Sequence, residues 1–162
     1  MKRFLLASTL FILFSQIELV AKQEFIKDDI TFKISDDLLP LINLLKKKGF
    51  NVKFETPPIK NVYGLFNTKN KTLWISPMSF IQGIGRQIIL HEATHAAQSC
   101  PNGFLKPMNL ELPISPFLNN EIKRILLNNY DSNQYLIEKE AYSLQSQKDG
   151  VNILLKEINE RC

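Results

Sequence analysis

Apolar residues in this chain fall first into short alternating runs and then into runs at helical spacing. Ile30, Phe32 and Ile34 alternate with other residues, which predicts a short strand over 30–34. Ser35, Asp36 and Asp37 then offer caps and N-terminal negative charge. Leu38, Leu41, Ile42 and Leu45 recur at the spacing of one helix face. A first amphipathic helix is expected over 37–48, with Pro40 tolerated in its first turn and Gly49 as its stop. Phe50, Val52 and Phe54 alternate again, in a strand that Thr56, Pro57 and Pro58 end. Strands over 62–66 and 71–75 flank Asn67, Thr68, Lys69 and Asn70, the pattern of a β-hairpin with a four-residue turn.

Helical spacing dominates from there on. Pro77 breaks the hairpin's second strand, and Ser79 offers a cap to a helix over 80–99. Gly83 and Gly85 lie in its first turns, where each costs helix stability and favours a later start. Cys100, Pro101, Asn102 and Gly103 stop it, and four prolines from Pro101 to Pro116 predict an irregular, fairly rigid loop. Further helices are expected over 117–129, over 132–148 with Ser132 as cap, and beyond Asp149 and Gly150 to Glu160. Strands with one helix first, then mostly helices, make an α+β domain. No internal repeat or low-complexity linker interrupts it.

The N-terminus carries a different signal. Met1, Lys2 and Arg3 form a short positive segment, and the apolar run over 4–14 suits a signal peptide better than a bilayer span. Ser15 to Ala21 turns polar and ends in a small residue, so cleavage is expected after Ala21, although Leu19 is a poor match to the usual small residue. The alternative is an uncleaved anchor reaching Val20, which would place Gln16 and Glu18 in lipid. The expectation is an exported chain: a leader over 1–21, then a single domain over 22–162 that is periplasmic or secreted and does not engage a membrane.

Composition changes this picture little. The chain has 162 residues, 44% hydrophobic and 22% charged, which is enough for one core and argues against disorder. A formal charge of +4 is mild. Lys46, Lys47 and Lys48 close a predicted helix, where cations suit the negative end of the dipole, and no basic–aromatic interleaving points to nucleic acid. Cys100 and Cys162 are the only cysteines. In an exported protein such a pair suggests one disulfide; the alternative is two free thiols in a reducing compartment.

The chemistry sits at His91-Glu92-Ala93-Thr94-His95, which contains both histidines of the chain. Histidines at i and i+4 stand one turn apart on one helix face, so their rings can converge on one metal ion. Glu92 points about 100° away from His91 and can reach a water held there without being a ligand. Zinc lowers the pKa of such a water and polarises a carbonyl, while a carboxylate moves the proton. The bland reading is a pair of histidines satisfied on a helix surface or in a core. No histidine follows His95, which pushes a third ligand toward a carboxylate.

The run from His91 to Gln98 resembles the active-site helix of the gluzincin metallopeptidases, and the likeness extends loosely to the hairpin before it and a helix after it. That resemblance implies a zincin-like minidomain: a small antiparallel or mixed sheet with a hairpin, then the active-site helix and C-terminal helices. It implies Zn2+ held by His91, His95 and a glutamate three residues before an alanine, which is Glu138 ahead of Ala141. Tyr142 stands where such proteins often carry Asp, leaving open what orients a ligating histidine. Helical phase alone leaves Glu140 as a rival ligand, since Leu136 and Leu144 flank it one turn away on either side. The resemblance also makes residues 71–76 an edge strand along which a peptide substrate would lie antiparallel; the alternative is that Leu73 and Ile75, or Trp74, pack in the core. Tyr142, Tyr135 and Tyr130 are candidate oxyanion donors, and the loop over 101–116 is expected to border the cleft.

Three functions follow from these readings. The first is a zinc peptidase acting on a peptide or protein substrate by water attack, with Glu92 as general base. The second is a catalytically weak zinc-binding module of the envelope that recognises peptides or regulates. The third is a zinc-free structural protein of the envelope. Retention of Glu92 favours the first, because a pure binder has no need of the base.

Overall fold

The alternating runs near the middle of the chain form one three-stranded sheet. In the computed structural model, which describes residues 32–129 and 132–162, a 3-10 turn (Asp36–Leu38) leads into α1 (Leu39–Lys47). Strands β1 (Asn51–Lys53), β2 (Gly64–Asn67) and β3 (Thr72–Ile75) follow, then α2 (Pro77–Ile81), α3 (Gly85–Gln98), α4 (Pro116–Asn129), α5 (Ser132–Gln145) and α6 (Gly150–Arg161). The fold is α+β, as the order of patterns predicts.

The hairpin forms where the turn residues require it. Asn67 Oδ1 accepts from the backbone N–H groups of Lys69 (2.9 Å) and Asn70 (3.4 Å), closing the turn. The sheet order is β1-β3-β2, with β1 parallel to β3 (Val52 beside Leu73) and β2 antiparallel to it (Leu65 beside Trp74). This corrects one expectation. The strand before the motif helix is central, paired on both sides, so it has no free edge for a substrate; β1 and β2 are the edge strands. Leu73 and Ile75 are fully buried, in keeping with the packing alternative.

Other differences from the expected elements lie at their boundaries. Residues 32–34 carry no strand, and Ile30 and Thr31 lie outside the described residues. The helix expected over 80–99 is two helices. Gly83 adopts a φ of +71°, in the left-handed region open to glycine, and breaks α2 from α3. Ser76, not Ser79, caps α2, accepting from Met78 N, while the Ser79 hydroxyl donates back to the Ser76 carbonyl at 2.7 Å. Helix α5 ends at Gln145, three residues early, and the side chain of Ser132 lies outside the described residues. The segment expected as a leader, 1–21, is also outside them. No described helix is long and apolar enough to cross a membrane.

The core lies where α3 meets the sheet, α5 and α6. Ile89, Leu90, Ala93, Ala96 and Ala97 of α3 are buried against Leu41 and Leu45 of α1, Leu73 and Ile75 of β3, Leu144 of α5, and Leu154 and Ile158 of α6. Alanines at 93, 96 and 97, with Ala141 on α5, keep this packing close. Arg86, at the start of α3, donates to the carbonyls of Gln147 (3.4 Å) and Lys148 (2.9 Å), and so ties α3 to the chain leaving α5. Lys48 of the basic run donates to Asn159 O at 3.3 Å, near the negative end of α6.

Cys100 and Cys162 form a disulfide with Cα atoms 5.2 Å apart, fastening the end of α6 to the end of α3. The two half-cystines are 62 residues apart, and cross-linking a loop of that length constrains the unfolded chain by about 4 kcal/mol. Reduction is therefore expected to lower the urea midpoint by a corresponding amount. An unchanged midpoint, or two reactive thiols in the unreduced denatured protein, would contradict the bridge.

Candidate metal centre

Helix α3 carries His91, Glu92 and His95, and α5 lays Glu138 against them. His91 and His95 are one turn apart, and their Nε2 atoms face each other at 3.1 Å. Glu138 closes the group, with Oε2 3.3 Å from His91 Nε2 and Oε1 3.5 Å from His95 Nε2. The face of α5 that does this is read by helical spacing: Glu138, Ala141, Tyr142 and Gln145. Ala141 is fully buried and lets the helices approach closely enough for the carboxylate to reach.

The donor set fits a metal ion. The two Nε2 atoms are 3.1 Å apart, and each lies 3.3–3.5 Å from a different oxygen of Glu138, so one ligand atom from each of the three residues falls within 4.8 Å of the others. The outer ring nitrogens make the same point. His91 Nδ1 lies 3.0 Å from Gln145 Oε1, and His95 Nδ1 lies 2.8 Å from Gln98 Oε1. An amide oxygen accepts, so each Nδ1 carries the hydrogen and each neutral ring presents an unprotonated Nε2 inward. Two ring lone pairs and a carboxylate then converge, an arrangement that could hold a cation.

The charges respond accordingly. Charged rings would instead carry hydrogen on Nε2 as well: burial works to raise the Glu138 carboxyl, but hydrogen bonds from both histidines in that form and their charge outweigh it and hold the group at about 2. Burial works to lower His95, and its hydrogen bond to Glu138 with the charges of Glu92 and Glu138 reverses that, so its pKa is raised. Burial pushes the Glu92 carboxyl up, against the attraction of the two histidines.

Glu92 belongs to this group without being in the triad. It is almost fully buried beside β2, where a Cβ on Gly64 would lie only 2.3 Å from Glu92 Oε1 and 2.7 Å from Ile88 Cγ2. Only glycine lets the edge strand come this near the carboxylate. Tyr142 lies edge-on to His91 with ring centroids 4.9 Å apart. Burial, and then the charges of Glu138 and Glu92, raise its phenol, which keeps it a donor. Tyr135 sits about two turns earlier on α5, half-buried. Tyr130 lies outside the described residues.

Glu140, the rival ligand, faces away from the triad. Its Oε2 accepts from Gln98 Nε2 and Met108 N, both at 2.8 Å, and its Oε1 accepts from Leu110 N at 3.0 Å. It anchors the proline-rich loop instead. The sequence reading missed Gln98, Gln145 and Gly64. The two glutamines were within reach of helical spacing, Gln98 three residues after His95 and Gln145 seven after Glu138. Gly64 has no local signal, because its part depends on what crosses it in space.

No protein-family model matches the chain, and neither a curated protein nor a solved structure does.

Proposed function

We propose that the chain is a zinc peptidase of the gluzincin kind, with His91, His95 and Glu138 as ligands and Glu92 as general base. The observation that carries this reading is the convergence of three ligand groups, with acceptor atoms within 4.8 Å of one another, beside a buried fourth group, Glu92, that shares no ligand position. Two imidazoles and one carboxylate suit zinc among the common divalent ions. When bound, the ion supplies Lewis-acid chemistry, acidifying a water and polarising the scissile carbonyl.

The protein's own groups do the rest. Glu92 takes a proton from the attacking water and delivers it to the leaving amine. Its burial supports this role, since a desolvated carboxyl has a raised proton affinity suited to work near neutral pH. Tyr142 keeps its phenolic proton and stands against His91, which suits a donor to developing negative charge. The outer edge of β2 is the unpaired backbone nearest Glu92, so an extended peptide substrate would add there by main-chain hydrogen bonds. Export fits the same reading: the disulfide suits an oxidising compartment, and the apolar run over 4–14 suits a leader.

Metal analysis and proteolysis test the proposal together. Purified protein is expected to hold about one zinc per chain, to cleave a casein-like substrate, to lose cleavage to a chelator and to regain it with zinc. Bound zinc with no cleavage would make it a peptide-recognition or regulatory module instead. No bound metal would leave a structural protein of the envelope and overturn the reading.

A further inference from the structure

Glu140, Gln98 and His95 form one chain of hydrogen bonds that ends at the triad. Gln98 is wholly buried, and its amide Nε2 donates to both the Ile137 carbonyl (3.0 Å) and Glu140 Oε2 (2.8 Å). Both partners only accept, so the amide has one orientation, with its oxygen on His95 Nδ1 at 2.8 Å. Glu140 is fixed in turn by the backbone N–H groups of Met108 and Leu110. Asn109 between them has a φ of +62°, a left-handed conformation that asparagine tolerates, and the two N–H groups flanking it close on one carboxylate.

We infer that Glu140 and Gln98 are positioning residues that set which ring nitrogen of His95 carries hydrogen, and that they couple the loop over 101–115 to the triad. The inference rests on the proposed metal site for its consequence, but its first readout does not need a metal. With Gln98 locked, the hydrogen of neutral His95 stays on Nδ1 and the lone pair on Nε2 faces Glu138 and His91. If Gln98 were free to turn, its NH2 group would donate to Nδ1 and move the hydrogen to Nε2, which closes the lone pair to a metal. Glutamine cannot replace Glu140 in this arrangement. Three donors converge on its two oxygens, and an amide would turn its own NH2 toward one of them.

The test uses full-length protein and zinc. In the metal-free protein under alkaline conditions, nitrogen-15 NMR of the His95 ring is expected to show the Nδ1–H form. Gln98→Met should shift His95 toward Nε2–H and weaken zinc binding by roughly 10- to 100-fold. Hydrogen exchange at Met108 and Leu110 should stay as in the wild type, because Glu140 keeps both backbone contacts. Glu140→Gln should shift the ring likewise and also speed exchange at those two amides. Should Glu140→Gln fold poorly, Gln98→Met still decides the matter. Wild-type NMR and zinc affinity in Gln98→Met would overturn the inference. A wild-type protein that binds no zinc would instead sink the metal reading, with the ring nitrogens still testing the relay.

Discussion

Replacing Glu92 with glutamine is expected to slow peptide-bond cleavage by roughly 10²- to 10⁴-fold while leaving bound metal and thermal stability in place. The two side chains have nearly the same shape, so the close approach of Gly64 to position 92 is preserved. Glu92 is not one of the three converging ligands, so zinc content should not fall. Stability should not fall either, because an amide costs less than a carboxylate to hold in a site this buried. What glutamine cannot do is accept a proton from water and return it. The measurement is the initial rate on a casein-like substrate beside the zinc content of the same preparation. Equal rates in variant and wild type would remove Glu92 from the reaction and leave a binding role for the triad.

How much of this was legible in the sequence varies with the range of the interaction involved. The hairpin was, since Asn67 closes its turn with contacts two and three residues on. The pairing of His91 with His95 was, since helix geometry alone puts them on one face. The position of β3 was not. It is central only because β1, some twenty residues earlier, crosses back to lie parallel to it, and alternation of apolar residues does not say which strands pair. The strand expected over 30–34 fails for the same reason in reverse, as alternation without a partner strand makes no ladder at residues 32–34. The choice between Glu138 and Glu140 is of this kind as well. Two residues apart, they stand about 200° apart around α5, and both faces are covered, one by α3 and the other by the proline-rich loop. Only the packing of α5 decides which carboxylate meets the histidines. That loop was expected to border the cleft; what the structure shows is its attachment to Glu140, a route to the triad through Gln98.

Glu138→Gln should separate these two carboxylates. It is expected to weaken zinc binding by more than about 100-fold, beyond the range typical of residues that only orient a ligand, and to abolish cleavage at ordinary zinc concentrations. The reason is charge as well as geometry. Glu138 is held ionised well below the usual carboxylate range by the histidines it faces, and an amide brings neither the negative charge nor two equivalent oxygens to the point where Nε2 of His91 and His95 converge. The fold should survive, because the buried contacts of α5 with α3 run through Ala141, Leu144 and Gln98 rather than through the half-buried Glu138. Glu140→Gln should behave differently: a smaller loss of affinity, a loosened loop, and zinc still bound at saturating concentration. Titration of both variants with zinc, followed by circular dichroism to confirm folding, distinguishes them. If Glu140→Gln lost its metal and Glu138→Gln kept it, the ligand would lie on the other face of α5 and the triad would have to be rebuilt around Glu140.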